Sequence, residues 1–333
     1  MAVTQTDIAR AVGVSQTIVS DVLHGRERGR VKPDTRERIL QAARDLGYRP
    51  NALAQALRFG ASRQIAYLTG PDETGSFPML RDQDISGAVR VLRGRDYRLL
   101  IELGSSHAAI ATHLDELMGA GVCDGGILRI YRGDEPLWDS LRAINRPLVV
   151  VGQCPDPAIT SVAHDVPALM HSSIERLVAL GHKQIGLLGV YGADTYADLL
   201  IANWTAIGSA HGFDPERFHE APYTRAAGES VVARWLSEPN PPTAILSLGT
   251  GAAIGATRAA ENAGLSIGNG FDLCVLSSRE SVWMFEAGVA VYVIDTEAVG
   301  ARAAEELLGK LNGQPNNGPI RLVPELVIAT GTD

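Results

Sequence analysis

The sequence predicts an all-α helix-turn-helix head followed by an α/β body of two doubly wound lobes. Two short amphipathic helical patterns meet at a glycine within the first 25 residues, and a third helical pattern follows. Beyond residue 62, short apolar runs alternate with helical patterns to the end of the chain. A length of 333 residues allows two or three domains, each with its own core.

The first two helices of the head are predicted by their apolar spacing and by one cap. The first covers about residues 6–11 and ends at Gly13. Ser15 is a good N-cap for the second helix, because its hydroxyl accepts from a free amide of the first turn. The apolar face of the second helix consists of Ile18, Val19, Val22 and Leu23. Its polar face consists of Gln16, Thr17, Ser20, Asp21 and His24.

A third helix is predicted from Pro33 to Leu46, with Gly47 closing its end. Its inner stripe consists of Ile39, Ala42, Ala43 and Leu46. The loop that precedes it carries three arginines between glycines, in a position suited to phosphate contacts: Arg26, Arg28 and Arg30. A merely solvated charged loop is an equal alternative.

A hinge segment follows the third helix. Asn51 is a candidate cap for a helix of about two turns, which is too short to persist alone in water. We expect this helix to order only on DNA, beside its twin from a second subunit. Leu53 and Leu57 lie at i, i+4, and an apolar side chain inserted between base steps is a minor-groove device. Alternatively, these leucines pack the two chains together.

The charge of the chain is divided unevenly. Residues 1–63 hold 11 basic and 6 acidic side chains, a formal charge of +5. The other 270 residues hold 19 basic and 32 acidic side chains, a formal charge of −13. A small basic head on an acidic body predicts a polyanionic partner for the head alone, although a basic surface without a role is the simpler alternative.

Several classes of protein are disfavoured. No stretch approaches 18 apolar residues, and Asp7 and Arg10 interrupt any N-terminal apolar run, so we expect neither a membrane span nor export. Three cysteines lie far apart without a CxxC pair, which suits a reducing cytoplasm and excludes a disulfide framework or a cysteine zinc site.

The body is predicted to be built from parallel strands buried on both faces. The predicted strands are 63–69, 98–103, 125–130, 147–152, 183–189, 243–248, 271–276 and 289–294. The predicted helices are 84–93, 109–118, 168–180, 197–211, 225–236, 251–263 and 296–311.

An ordered series of short motifs over some fifty residues then carries a resemblance. The motifs are Thr6-Asp7-Ile8-Ala9, Gly13-Val14-Ser15, Val19-Ser20, Thr35-Arg36, Leu46-Gly47-Tyr48, Pro50-Asn51 and Leu57. They resemble the DNA-binding head and hinge of the LacI/GalR (lactose-repressor) family of bacterial regulators. The segment 177–188 also resembles that family's most recognisable body segment, so the likeness covers essentially the whole chain.

This resemblance implies a set of DNA contacts. Gln16, Thr17 and Asp21 match positions that face base edges, and Leu57 matches the minor-groove wedge. The remaining expected DNA contacts are Thr6, Ser15, Ser20, Arg26, Arg28, Arg30, Asn51 and Leu53. Asp21 replaces the arginine usual in the family, which removes a guanine contact and changes the expected operator. Lys32 stands where a capping serine is usual.

The resemblance also implies the domain boundaries and two lobes of periplasmic-binding-protein type. The helix-turn-helix domain would cover 1–47, the hinge helix and linker 48–61, and the effector-binding and dimerisation domain 62–333. Lobe one would comprise about 62–161 and 293–318, and lobe two about 162–290 and 319–333.

An effector cleft is expected between those lobes. The expected contacts are Asp72, Phe77, Arg129, His164, Tyr223, Gly249, Ser277 and Asp295, and Trp283 is a further candidate. A structural role for His164 is equally compatible with its position. Leu200, Gly249-Thr250 and Ser277-Ser278 stand where the family commonly has charged or amide groups that hold sugar hydroxyls. We therefore expect an unusual effector, with a sugar among the candidates, or a weakened response to small molecules.

Two other classes were weighed. Gly249-x-Gly251-x-x-x-Gly255 resembles a dinucleotide fingerprint, but the next strand ends in Ser277-Ser278 without the acidic residue that holds a ribose. A solute-binding protein has the right body but no use for the head. We therefore predict a cytoplasmic, non-enzymatic, sequence-specific transcriptional regulator, a repressor, with no cofactor. It would bind a pseudo-palindromic double-stranded DNA operator as a homodimer, under control of a small-molecule effector.

Overall fold

The computed structural model describes residues 3–23, 31–49, 60–70, 78–130, 135–189, 195–220 and 224–331. The chain divides into two compact units, Met1–Ser62 and Arg63–Asp333. The first unit is the head and the second is the body.

The described part of the head is a three-helix unit. Its helices are α1 (Gln5–Val12), α2 (Gln16–Leu23) and α3 (Pro33–Asp45). Ile8, Val19 and Ile39 contribute one fully buried side chain from each helix to a common core. Because α1 and α2 have eight residues each, their stability depends on this packing rather than on helix propensity. Leu46, expected in the inner stripe of α3, is exposed instead, because α3 ends one residue before it.

The turn between α1 and α2 is defined by local hydrogen bonds. Thr4 and Asp7 form a reciprocal capping box at the start of α1. Gly13 ends this helix with φ of 75°, a left-handed conformation that favours glycine, and its N–H donates to the Ala9 carbonyl oxygen at 2.9 Å. The side chain of Arg38 on α3 donates to the carbonyl oxygen of Val12 at 2.9 Å, which ties the third helix to this turn.

The body alternates helices and strands. Its helices are α4 (Pro78–Arg93), α5 (His107–Gly119), α6 (Glu135–Ala143), α7 (Val166–Ala179), α8 (Thr195–His211), α9 (Arg225–Leu236), α10 (Thr250–Asn262) and α11 (Thr296–Leu311), with a 3₁₀-helix at Arg279–Met284. Its strands are β1 (Gln64–Thr69), β2 (Arg98–Leu103), β3 (Gly125–Arg129), β4 (Leu148–Val151), β5 (Ser161–His164), β6 (Ile185–Leu188), β7 (His219–Glu220), β8 (Ala244–Ser247), β9 (Ser266–Ile267), β10 (Gly270–Ser278), β11 (Ala290–Ile294), β12 (Pro319–Leu322) and β13 (Glu325–Ile328).

These strands form two sheets, which confirms the predicted α/β body with two doubly wound lobes. The first sheet has the order β12-β5-β4-β3-β1-β2, and all of its pairs are parallel. The second has the order β13-β11-β10-β8-β6-β7, with β9 paired to β10 and only β13 antiparallel to its neighbour. Lobe one below means the elements around the first sheet, and lobe two means those around the second.

The positions at which the chain crosses from one lobe to the other differ from the expected boundaries. Strand β5, placed by the sequence at the start of lobe two, pairs with β4 in the first sheet. Strand β12, also expected in lobe two, pairs with β5 in the first sheet. Strand β11 lies wholly in the second sheet, although lobe one was expected to resume at 293. A strand of four or five residues carries too little periodicity to reveal which sheet it joins.

Helices α4 and α11 pack at very close range in lobe one. A Cβ built on Gly300 would lie 1.9 Å from the Asp84 carbonyl oxygen, and one built on Gly87 would lie 2.0 Å from the Glu297 carbonyl oxygen. The two backbones therefore contact each other directly. This contact fixes the start of α11, which borders the cleft described next, against the middle of α4.

Candidate nucleic-acid interface and interlobe cleft

The exposed start of α2 is the main polar feature of the described head. The Ser15 hydroxyl accepts from the Ile18 amide at 3.3 Å, which confirms Ser15 as the N-cap. Gln16 and Thr17 are exposed on the first turn, and that turn holds no acidic side chain. The positive end of the helix dipole and two hydrogen-bonding side chains are therefore available to an anionic partner.

The other expected DNA contacts in the described head differ in their exposure to solvent. Thr6 is exposed on α1, and Asp21 is half-buried on α2. Ser20, expected on the polar face, is only 4% exposed. Because α2 packs against both α1 and α3, its buried arc is wider than its four apolar residues suggest. The predicted phosphate contact of Ser20 therefore conflicts with its burial.

Basic side chains surround this head. The exposed cations of the described head are Arg10, Lys32, Arg36, Arg38, Arg44 and Arg49. Arg10 lies 3.5 Å from Asp7, in a solvent-exposed pair that neutralises little of the surrounding positive charge. The same residues include five acidic side chains, so the described part of the head has a formal charge of only +1, and most of the head's charge of +5 lies outside the described residues.

Nine of the expected site residues lie outside the described residues. They are Arg26, Arg28, Arg30, Asn51, Leu53, Leu57, Asp72, Phe77 and Tyr223. The expected hinge helix falls in the same category.

In the body, the carboxyl ends of the parallel strands of the two sheets face one cleft. Arg129 and His164 are the last residues of β3 and β5 in lobe one. Asp295 follows β11 where the chain leaves lobe two. Arg129 and Asp295 both act electrostatically on the imidazole of His164, so these three predicted residues lie near one another.

Arg129 pairs with a buried carboxylate that the sequence did not indicate. Its Nη1 lies 2.6 Å from Oδ2 of Asp84, and the Asp84 side chain is fully buried. The Tyr67 hydroxyl donates to the same oxygen at 3.4 Å. Burial raises the pKa of Asp84 to about 7, against the opposing effects of Arg129 and Tyr67. Arg129 is therefore held in place by a partner that is only partly ionised near neutral pH.

His164 is a neutral histidine at the edge of this pair. Burial, and to a smaller extent the positive charge of Arg129, lowers its pKa to about 4 against the opposing effect of Asp295. Among the residues that the structure describes, neither ring nitrogen makes a well-formed hydrogen bond, although the Leu322 backbone lies close enough to act on the ring. A buried imidazole with one donor and one acceptor unused is suited to a neutral, hydroxyl-bearing ligand.

Two aspartates occupy equivalent positions at the lobe crossings. Asp165 leads from β5 into α7, and its Oδ1 accepts from the Ala168 amide at 3.0 Å. Asp295 leads from β11 into α11, and its Oδ1 accepts from the Ala298 amide at 2.8 Å. Asp295 was expected to contact the effector. One of its oxygens serves as a helix cap at the lobe crossing, and the residue also lines the interlobe cavity.

The lobe-two side of the cleft presents hydroxyl groups. Ser277, at the end of β10, lies 2.7 Å from the Thr250 hydroxyl and is buried. Gly249 begins α10, with open space where a Cβ would lie. Leu200 is buried in the apolar core of lobe two rather than in the cleft, and Trp283 is exposed on the surface.

A cavity of about 190 Å³ lies between the lobes beside the second crossing. Its lining consists of Gln83, Arg279, Glu280 and the segment 293–297, so both lobes contribute to it. At its edge, Nε2 of Gln83 donates to Oε2 of Glu280 at 3.0 Å. Backbone and side-chain donors, first among them its own amide, hold the pKa of Glu280 below its usual value. This is a direct polar contact from α4 of lobe one to lobe two.

His182, inside the family-like segment, joins three strands at the opposite edge of the second sheet. Its Nδ1 lies 2.8 Å from the Thr243 hydroxyl, and its Nε2 lies 2.8 Å from Oδ2 of Asp272. These residues stand at the amino ends of β6, β8 and β10. The motif was visible in the sequence, but its partners lie 61 and 90 residues away.

No helix of the described residues has the length and apolarity needed to cross a membrane. In the same described ranges, no group of three or more His, Cys, Asp or Glu side chains is arranged to hold a metal ion. The three cysteines are free and buried.

A capped helix-turn-helix head attached to a two-lobed α/β body defines a class of transcriptional regulators with a periplasmic-binding-protein-like body. Sequence profiles agree: residues 4–51 match the bacterial regulatory proteins of the lacI family, and residues 174–330 match a periplasmic binding protein-like domain.

Relatives support the same assignment. The HTH-type transcriptional regulator AglR of Rhizobium meliloti is 28% identical, over 94% of this chain and 89% of its own. The lactose operon repressor of Escherichia coli is 25% identical, over 96% of this chain and 89% of its own. A crystal structure of the lac repressor dimer bound to operator and the anti-inducer ONPF superposes with a TM-score of 0.86, at 25% identity and full coverage of both chains. The head therefore carries the DNA-binding domain of the lacI family, the chain is similar over nearly its whole length to regulators of this type, and it is a DNA-binding transcriptional regulator.

Proposed function

We propose that this regulator is a cytoplasmic repressor that binds a pseudo-palindromic operator as a homodimer and is controlled by a small molecule in the interlobe cleft. The observation that carries the proposal is the exposed first turn of α2, where Gln16 and Thr17 follow the cap Ser15. A recognition helix presents such a turn to base edges in the major groove. The lac repressor structure, with dimer and operator, supports the same arrangement for a relative.

The hinge and the arginine loop complete the proposed DNA contacts. Leu57 would open a central pyrimidine–purine step, the kind that unstacks most readily. Arg26, Arg28 and Arg30 would contact phosphates. Replacing these three by alanine should then reduce the log–log salt slope of binding by about 0.9 for each lost contact. An unchanged slope would leave the loop merely solvated.

We propose a neutral, hydroxyl-bearing effector, of which a sugar is one example. Three features support a ligand of this class. His164 is neutral, and Thr250 and Ser277 form a pair of hydroxyl groups. Asp165 and Asp295 each use one carboxylate oxygen to cap a helix. A ligand need only bind one lobe arrangement better than the other. A 100-fold preference corresponds to about 2.7 kcal/mol, which is sufficient for strong control of the operator.

The decisive experiment is selection of random DNA duplexes by the purified full chain, followed by gel-shift titration of the selected sequence. Gln16→Ala and Thr17→Ala should change which duplexes are selected, because base contacts carry specificity. The matched control is Gln41→Ala, which removes an exposed glutamine from α3. Equal losses on all duplexes, or the same effect from Gln41→Ala, would remove the assignment of α2 as the recognition helix.

The same selection tests the alternative classes. Repeating it with candidate sugars should shift the operator affinity without turnover of the sugar. A chain that binds sugar but no duplex would be a solute-binding protein. A chain that consumes the added molecule would be an enzyme.

A further inference from the structure

The chain contains three Asn-Gly pairs, at Asn269-Gly270, Asn312-Gly313 and Asn317-Gly318. In such a pair the glycine amide nitrogen can attack Cγ of the asparagine side chain, because glycine has no Cβ that hinders the approach. The side-chain amide leaves as ammonia and a succinimide ring forms. Water then opens the ring at one of its two carbonyl groups and gives aspartate or isoaspartate. In the sequence the three pairs are equal candidates for this reaction, so only their surroundings distinguish them.

The pair that follows α11 is held at both reacting groups. Nδ2 of Asn312 donates to the Leu308 carbonyl oxygen at 2.8 Å, which holds the asparagine side chain along the helix. The amide of Gly313 donates to the Lys310 carbonyl oxygen at 3.0 Å. This second bond points the glycine nitrogen away from the side-chain carbon that it would attack. Asn312-Gly313 is therefore protected.

The pair that precedes β12 is held in the same way. Nδ2 of Asn317 donates to Oε2 of the buried Glu306 at 2.6 Å, a short charge-assisted bond. The amide of Gly318 donates to Oδ1 of Asn316 at 3.0 Å, and the Thr160 hydroxyl donates to the same oxygen. Both the amide group that would leave and the nitrogen that would attack are thus engaged.

Asn269, in the turn between β9 and β10, lacks a comparable restraint on its side chain. The residue is exposed, and among the described residues its side-chain amide forms no hydrogen bond. Only its backbone is fixed: the Asn269 amide donates to the Ser266 carbonyl oxygen at 2.9 Å, and the Ser266 amide donates back at 3.3 Å. The Asn269 side chain can therefore rotate towards the nitrogen that follows it.

That nitrogen, the amide of Gly270, has no acceptor in the described sheet. The Phe271 carbonyl oxygen accepts from the Gly268 amide at 3.0 Å, so the backbone groups of Phe271 face β9. Successive residues of a strand point their backbone groups to opposite sides, so the Gly270 amide points towards β8. Strand β8 begins at Ala244, opposite Asp272, and does not reach Gly270.

We propose that Asn269-Gly270 is a site of spontaneous deamidation in the folded regulator, and that its isoaspartate product loosens the start of β10. Isoaspartate adds one carbon to the backbone between the Ser266–Asn269 turn and Phe271. Phe271 is fully buried in the core of lobe two, where packing is sensitive to a single added methylene. Aspartate keeps the backbone length and adds only an exposed charge.

The test follows the three pairs in one sample of the full chain, aged at mildly alkaline pH. Peptide mapping by mass spectrometry measures the loss of each side-chain amide, and labelling by an isoaspartate methyltransferase measures the isoaspartate formed. In the folded chain Asn269 should lose its amide before Asn312 and Asn317. In urea all three should react at similar rates, because a glycine follows each. Loss at Asn312 or Asn317 as fast as at Asn269, or no loss at Asn269 while the urea sample reacts, would overturn the proposal.

Two variants test the reasons for this order. Asn269→Gln keeps an amide side chain but would have to close a larger ring, so the folded chain should lose nearly all of its labelling. Labelling that persists would place the isoaspartate elsewhere. Asn316→Ala removes the acceptor of the Gly318 amide and should speed the loss at Asn317 while leaving Asn269 unchanged. An unchanged rate at Asn317 would contradict the protection by hydrogen bonds.

The effect on β10 has its own measurement. Thermal unfolding of the aged wild type should show a less stable component that grows with its isoaspartate content. Fresh Asn269→Asp, which has the charge without the added backbone carbon, should unfold like the fresh wild type, and aged Asn269→Gln should show no such component. A component of the same size in Asn269→Asp would assign the effect to the charge and overturn the backbone account.

Discussion

The guanidinium of Arg129 lies 2.6 Å from the carboxylate of Asp84, a residue with no exposed surface, at the base of the interlobe cleft. Breaking such a buried pair by removing one partner is costly, because the remaining charge lacks compensation. The Asp84 carboxyl can avoid an uncompensated charge by taking up a proton, because its pKa is about 7. The cleft therefore contains an acid that titrates near neutral pH.

Asp84 should make the chain less stable as the pH rises from about 4 to about 7. The unfolded carboxyl titrates near 3.8 and the folded one near 7, so in this window the folded state binds the extra proton. The stabilisation from that proton is complete below about 4 and is lost through about 7. Urea unfolding across this range should show the wild-type free energy falling relative to that of Asp84→Asn. A difference between the two that does not vary with pH would contradict the raised pKa.

His164 should produce the opposite dependence. Its pKa is about 4 in the folded state and 6.5 ordinarily, so the unfolded state binds the extra proton between these values. The stabilisation from the neutral imidazole is complete above about 6.5 and is lost as the pH falls through about 4. His164→Gln removes this loss. Relative to the wild type, the stability of that variant should therefore rise more on acidification, because the opposing contribution of His164 is gone.

In the wild type, the opposite effects of Asp84 and His164 on the free energy of unfolding should nearly cancel between about pH 4.5 and 6.5, where both groups titrate. In Asp84→Asn, the free energy of unfolding should show the pH dependence caused by His164. In His164→Gln, it should show the pH dependence caused by Asp84. The double variant should lose both contributions and keep only the pH dependence of the other shifted groups, among them Glu286, whose pKa is raised to about 7 by Glu261 and by burial. Single variants with slopes of the same sign would exclude this account.

The hydrogen bond between Gln83 and Glu280 should bias the arrangement of the lobes. Gln83→Ala removes a charge-assisted bond, but the bond is exposed, so we expect a loss of about 1 kcal/mol or less. That corresponds to about a fivefold change in the ratio of closed to open forms. Small-angle scattering should then report a larger radius of gyration for the ligand-free variant.

The control for this prediction is Gln64→Ala. Its side chain donates to the Val122 carbonyl oxygen at 3.1 Å, so the bond that this variant removes lies within lobe one. An equal expansion in both variants would show that the effect is not specific to the cross-lobe bond.

His182 should contribute to the stability of lobe two rather than to ligand binding. His182→Ala deletes two hydrogen bonds and leaves Thr243 and Asp272 without this partner, which should cost about 2 kcal/mol. Chemical denaturation measures the loss. His171→Ala, on an exposed histidine of α7, is the control and should stay within about 0.5 kcal/mol of the wild type. A normal stability for His182→Ala would mean that solvent replaces both bonds.

The parts of the structure that depend on local pattern were predictable from the sequence. Ser15 as a cap and Gly13 as a helix end follow from residue chemistry over a few positions, and the long apolar strands follow from composition. The pairing of Asp84 with Arg129 depends on two residues brought together by the sheet and the helix above it, and no local pattern signals it. Ser20 was misplaced because the third helix widens the buried arc of α2, which is a tertiary effect.

The discontinuous build of the body has a consequence for synthesis. The first sheet receives β12, and the face of β4 receives α11, only after all strands of lobe two except β13 have been synthesised. During synthesis, one side of the lobe-one core therefore stays exposed while about 150 further residues, most of them in lobe two, are added. At ordinary translation rates this takes roughly ten seconds or more. Chain termination before residue 319 leaves neither half whole, so fragments of this regulator should be cleared by proteases rather than accumulate as folded competitors for DNA.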